Sequence, residues 1–163
     1  MIHSLNRTNK ETDFTKIYYL HVDTVYRICF TYLKNTPDTE DAVQEVFMKL
    51  LNYKGTFNSE EHRKAWLIVT ASNYCKNYLK HWWRRHKNIE DYTELIGDTD
   101  PEIDEMMDLI LDLPDKYKTV VYLYFYEGYN SNQIAEMLHK PGSTIRTYLS
   151  VAKELLKKEL KKG

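Results

Sequence analysis

The stretch that decides the fold is Asn130-Ser131-Asn132-Gln133-Ile134-Ala135-Glu136-Met137-Leu138-His139-Lys140-Pro141-Gly142-Ser143-Thr144-Ile145-Arg146. Asn130 followed three residues on by Gln133 forms a capping box, which opens a short helix holding Ile134, Ala135 and Leu138. His139-Lys140-Pro141-Gly142 cannot continue that helix, so the chain must turn there. Ser143 is placed to cap a second helix, whose Ile145, Leu149, Ala152 and Leu156 recur at 0, 4, 7 and 11 and so face inward together. A short helix, a tight turn and a longer helix form a helix-turn-helix. The second helix shows Thr144, Arg146, Thr147, Ser150 and Lys153 on its outer face, a set able to contact phosphates and base edges. Helical pairs of this kind also occur in structural proteins, so the local pattern leaves both readings open.

Working back from there, Asp115 to Glu127 reads as an aromatic-rich helix stopped by Gly128. Asp100-Pro101-Glu102 reads as a cap with proline at the first helical position, and its helix would end before Leu113-Pro114. The acidic stretch Glu90 to Asp100 contains Gly97 and few large apolar groups, which marks a linker.

Upstream of the linker, Val22, Val25, Cys29 and Leu33 set a helical period from Phe14 to about Lys34. Thr36-Pro37-Asp38 then has the form of an N-cap, a proline and a first-turn acid. The helix it opens should bury Val43, Val46, Phe47, Leu50 and Leu51 and expose Asp41, Gln44, Glu45 and Met48 at 0, 3, 4 and 7. The loop Tyr53 to Ser59 interrupts the pattern. A long helix follows from His62 to Arg85, with an apolar stripe of Leu67, Ala71, Tyr74, Cys75, Tyr78 and Leu79. Its Thr70, Asn73, Asn77, Lys80 and Arg84 fall at 0, 3, 7, 10 and 14, one line of amides and hydroxyls flanked by cations.

The formal charge of -1 on 163 residues conceals three blocks. Residues 1–90 carry 14 bases and 10 acids, residues 91–112 carry nine acids and no base, and residues 113–163 carry 9 bases and 5 acids. Between His62 and Ile89 there is no acid at all, while Tyr74, Tyr78, Trp82 and Trp83 interleave with seven Lys and Arg side chains. Cations beside aromatic planes suit a phosphate backbone with unstacked bases; a solvated helix face is the plainer reading. Hydrophobic content of 42% excludes a disordered chain, and no apolar run approaches the roughly 18 residues of a membrane helix. Cys29 and Cys75 sit in apolar helical patterns without metal-ligand spacing, as reduced core thiols of a cytoplasmic protein would. With 5 Gly and 4 Pro, turn residues are scarce, and the expected fold class is all-α: two small helical domains joined by an acidic linker.

Two spans together resemble one family. Asp41-Ala42-Val43-Gln44-Glu45-Val46-Phe47, then Trp66-Leu67, then Asn73 before a basic tail, resembles region two of bacterial RNA polymerase sigma factors. Leu113-Pro114, then Gln133-Ile134-Ala135, Pro141, Thr144-Ile145-Arg146 and Leu149, resembles their region four. These two regions alone on a short chain are the pattern of the extracytoplasmic-function (ECF) sigma factors. The resemblance implies a region-two domain over 1–89, a linker over 90–100 and a region-four domain over 101–163. It implies that Asp41, Gln44, Glu45 and Met48 dock on the clamp helices of the polymerase beta-prime subunit, with the beta flap as a further contact. It also implies that Thr70, Asn73, Asn77, Lys80, Trp83, Arg84 and Arg85 melt and read the minus-10 promoter element, and that Ser143, Thr144, Arg146, Thr147, Ser150 and Lys153 read the minus-35 element. An anti-sigma factor is a further partner such proteins can have; no cofactor and no membrane insertion are expected. The chain departs from the family at Asn77, where aspartate is common, at Ser72, Tyr148 and Val151, where arginine is common, and at Ser143, where glycine is common.

An autonomous helix-turn-helix regulator is the alternative, and the first unit discriminates against it, since a repressor has no use for a clamp-binding helix and an aromatic melting face. An enzyme is disfavoured: there is no glycine-rich phosphate loop, and His62, His81 and His86 lie on the basic segment, where contact with DNA or solvent explains them better than catalysis.

Overall fold

The computed structural model describes residues 2–85 and 104–162, with no strand among the described residues. The first unit is three helices, α1 (Ile2–Leu33), α2 (Thr36–Leu51) and α3 (Glu60–Arg85). The second is α4 (Glu105–Leu111), α5 (Asp115–Val121), a π-helical turn (Tyr122–Tyr126), α6 (Ser131–Leu138) and α7 (Gly142–Lys162). The expected linker over 90–100, the Asp100-Pro101 cap and His86 lie outside the described residues.

The periodicities place the core correctly, and four local details differ. The cap of α2 is Asn35, whose Oδ1 accepts from the Asp38 amide at 2.9 Å, and Thr36 is the first helical residue. Lys34 adopts a left-handed φ of 62°, which turns the chain so that the extended Asn35, not Thr36, faces the free amides. Leu51 is 55% exposed: it lies 100° round the helix from the buried Leu50 and passes the edge of the core. The aromatic helix after Asp115 is α-helical only to Val121, and the Glu127 amide then bonds to the Tyr122 carbonyl in a wider, five-residue turn. Lastly, α7 starts at Gly142, because the Pro141 carbonyl accepts from the Thr144 and Ile145 amides; Ser143 is inside the first turn and does not cap it. The capping box of Asn130 and Gln133 on α6 forms as read, and the left-handed His139 (φ 53°) ends that helix.

Val25, Ile28, Cys29 and Leu33 of α1, Val43, Val46 and Phe47 of α2, and Leu67, Ala71, Cys75 and Leu79 of α3 are all buried. Cys29 and Cys75 are free thiols with no exposed surface, packed thiol to thiol, and that contact with burial pushes the Cys75 thiol up. The second unit buries Met107, Ile110, Val120, Leu123, Ile134, Ile145 and Ala152 in the same continuous core.

The two units are joined by a polar seam. The Tyr32 hydroxyl meets Thr119 Oγ1 at 2.5 Å, and Thr119 donates to Ser72 Oγ at 2.9 Å, which itself bonds to the Ile68 carbonyl. Arg27 donates to the Tyr122 hydroxyl and lies 4.8 Å from the Tyr126 ring centroid. Within the π-helical turn Tyr122 stacks on Tyr126, and Arg27 of α1 reaches both. Ser72 is 2% exposed, so the arginine common at this position in the family would have to displace α5.

Lys118 is buried in the seam, donating to the Thr31 carbonyl in the last turn of α1, with Asp115 Oδ1 at 3.3 Å. Burial lowers its ammonium pKa from 10.5 to about 8. The unfolded chain therefore holds this proton more tightly than the folded one. Stability is lost as pH falls through 8 and is regained as pH rises toward the unfolded value of 10.5. Tyr32 and Tyr122, whose phenols burial pushes up, act with the opposite sign only above their ordinary value of 10.0. Between pH 7.5 and pH 10 the wild-type protein should gain about 2 kcal/mol of unfolding free energy relative to Lys118→Met, measured by urea titration. Parallel pH profiles for the two proteins would contradict the buried ammonium.

Candidate nucleic-acid interface

The polar stripe on α3 does not stand alone. Where α2 and α3 diverge, a groove of about 690 Å³ opens, and Thr70, Asn73, Asn77 and Arg85 line it. Tyr74, Tyr78, His81, Trp82 and, from α2, Lys49 complete the lining. Asn73 and Asn77 are exposed one helical turn apart, so two amides with four donor and acceptor groups between them face one concavity. Tyr74 and Tyr78 are half-buried with ring centroids 6.5 Å apart and nearly parallel planes. Burial, then the Glu45 carboxylate, pushes the Tyr74 phenol up, and burial with Asp38 does the same to Tyr78. Both phenols are therefore neutral at physiological pH and present aromatic faces rather than charge.

The structure brings together four of the seven residues expected on this surface. Lys80, Trp83 and Arg84 are exposed on the same helix but lie outside the groove lining. Trp83 is 43% exposed and meets Trp82 edge to face at 5.1 Å. Trp82 packs partly on the core and also walls the groove. Lys49 and His81 were missed as groove residues. His81 lies four residues beyond Asn77, a spacing that could have found it; Lys49 depends on the packing of α2 on α3 and has no sequence signal.

Asp41, Gln44, Glu45 and Met48 are exposed on α2, while Ala42, Val43, Val46 and Phe47 between them are buried. Met48 is 53% exposed and, with the exposed Leu51, adds an apolar margin to the acidic face. This face adjoins the groove, because Tyr74 and Tyr78 sit beside Glu45, Asp41 and Asp38.

On α7, Ser143, Arg146, Thr147, Ser150 and Lys153 are exposed and Thr144 is half-buried, against an inner face of Ile145, Leu149 and Ala152. The Arg146 guanidinium lies back over Gly142, where an added methyl would come within 3.0 Å of it. Lys153 Nζ sits 5.2 Å from the Tyr124 ring centroid. Tyr148 turns inward onto Tyr117, ring centroids 5.4 Å apart, and Lys116 lies over the Tyr148 ring.

A three-helix unit with an amide-lined aromatic groove and a trailing helix-turn-helix defines a two-part nucleic-acid-binding protein. The Sigma-70 region 2 family matches residues 17–85, and the Sigma-70, region 4 family matches residues 103–156. The RNA polymerase sigma factor SigV of Bacillus subtilis (strain 168) is 31% identical over 148 residues, covering 87% of each chain. The ECF RNA polymerase sigma factor SigW of the same strain is 26% identical over 166 residues, covering 91% of this chain and 89% of SigW. Among solved structures, the sigma factor RpoE in complex with the anti-sigma factor NepR from Bartonella quintana superposes with a TM-score of 0.65 at 18% identity, over 91% of this chain and 97% of that one. The chain belongs to the ECF family of RNA polymerase sigma factors. It is an alternative sigma factor rather than an autonomous regulator, as the region-two match over its first unit requires. Among the described residues no helix is long and apolar enough to cross a membrane.

Proposed function

We propose that the α2 face of Asp41, Gln44, Glu45 and Met48 docks on core RNA polymerase, at the beta-prime clamp helices, and that the α3 groove holds the unpaired minus-10 strand. The outer face of α7 then reads the minus-35 duplex. Residues 1–89 and 101–163 act as the two binding units, joined through the acidic segment 90–100, and the second unit meets the beta flap. The observation that carries this reading is the groove itself. It sets two amides, which can pair with an extruded base, beside three aromatic rings that replace its lost stacking. The protein acts as a cytoplasmic initiation factor, without catalysis or cofactor of its own, and an anti-sigma factor could hold it inactive by covering the same surfaces.

The test is affinity with and without polymerase. The chain should co-purify with core enzyme and bind promoter duplex weakly alone. Tight duplex binding without core would overturn the reading. Within the complex, Arg146→Ala should cost roughly 1–3 kcal/mol and relax preference at one base pair of the minus-35 element, read by binding to a library of single-base variants. An equal loss on every variant would assign Arg146 to phosphate only.

A further inference from the structure

The outer face of α7 carries a feature that charge alone does not explain. Val151 is 38% exposed, while its neighbours toward the core, Leu149 and Ala152, are 5% and 0% exposed. It lies four residues after Thr147 and thus one turn along the same side of the helix. The Thr147 hydroxyl is already used: it donates to the Ser143 carbonyl of its own helix at 2.9 Å. Its hydrogen spent, exposed Thr147 can offer a partner only its methyl group and the lone pairs of its oxygen. The cations lie to one side of this pair, seven residues apart on a single stripe, with Arg146 over Gly142 and Lys153 over the Tyr124 ring. Tyr148 is turned inward against Tyr117. The face therefore sets the Thr147 and Val151 methyl groups among the exposed Ser143 and Ser150 hydroxyls, with Arg146 and Lys153 along one side and Glu154, paired with Lys157, at its far end.

The occupant that fits is a duplex major groove carrying a thymine. Phosphates of one strand would meet Arg146 and Lys153, and a base edge beside that strand would meet the methyl groups. Only thymine presents an apolar group there, at its 5-position. We infer that Val151 and Thr147 together select a thymine in the minus-35 element by contact with its 5-methyl group. This rests on the proposed reading that α7 enters the major groove, and supplies the base chemistry for it.

The experiment uses the reconstituted holoenzyme and the minus-35 element it selects from a randomised pool. Each thymine of that element is then replaced by deoxyuridine, which removes the methyl and keeps the pairing edge. At one thymine the replacement should weaken binding about fourfold, the worth of one buried methyl group. Val151→Ala should weaken the thymine duplex by a similar factor and abolish the difference between thymine and uracil. Thr147→Val should keep the difference and Thr147→Ser should reduce it. A selected element with no thymine on either strand would overturn the inference, as would uracil being tolerated at every position or discriminated equally by Val151→Ala. If instead the minus-35 element can be scrambled without effect and Arg146→Ala is silent, it is the groove-entry reading that fails.

Discussion

Glu45→Lys should leave helix content and thermal unfolding unchanged and reduce core polymerase affinity by roughly 100-fold, about 3 kcal/mol. Glu45 lies in the middle of α2 on the exposed side, and its four nearest inward neighbours, Ala42, Val43, Val46 and Phe47, carry the packing. The reversal removes no core contact, so the fold has no reason to suffer. The interface does. Asp41 and Glu45 form an acidic pair on one side of the helix, and a partner matched to them must present cations. A lysine there replaces attraction by like-charge repulsion, which costs far more than the loss of a rim charge. Met48→Ala, which removes apolar contact without altering charge, should weaken binding by a smaller factor and leave its salt dependence intact. Sedimentation or fluorescence anisotropy with purified core enzyme measures both. Normal binding by Glu45→Lys would reduce this face to a solvated surface.

Asn73→Ala should bind polymerase and promoter duplex normally yet fail to hold the strands apart. Cations such as Lys80, Arg84 and Arg85 attract duplex and single strand alike, so they cannot favour opening by themselves. Opening needs a group that pairs with an extruded base and a surface that stacks on it. Unstacking costs a few kcal/mol per step, and one aromatic contact returns roughly 1–3 kcal/mol, so neither the rings nor the amide is sufficient alone. Removing the amide should lower open-complex occupancy by about thirtyfold, near 2 kcal/mol. Permanganate reactivity of thymines near the start site is the readout. Asn77→Ala, one turn along the groove, should show a smaller effect in the same direction. Unchanged reactivity in Asn73→Ala would move base capture to the Lys54–Ser59 loop.

Much of this surface was legible in the sequence because it is local. A stripe at 0, 3, 7 and 10 on one helix is a property of that helix, and the exposed Asp41, Gln44 and Glu45 face is as well. The capping box at Asn130 and the turn at Pro141 follow from side-chain chemistry within a few residues. What escaped depends on distant partners. Lys49 joins the groove only because α2 packs on α3. Nothing within its own helix marks Lys118 for burial, yet the Thr31 carbonyl, far away in sequence, draws it inside. The π-helical turn at Tyr122 lets a tyrosine reach Arg27 on α1, and no spacing within that segment announces it. Ser72 looked like a missing cation before Asn73; in the fold it is a small residue required where α5 lies against α3. Departures from a family pattern can thus record packing within the chain as well as altered contacts outside it.

This chain directs core polymerase to promoters. The most direct measurement is run-off transcription from a promoter library with core enzyme, in the presence and absence of the purified chain. Transcripts should appear only when both are present. They should come from a subset of templates sharing two elements at one fixed spacing, and Asn73→Ala should reduce them about thirtyfold on the same templates. Transcription that is unaltered by the chain, alongside tight sequence-specific duplex binding by the chain alone, would contradict the account.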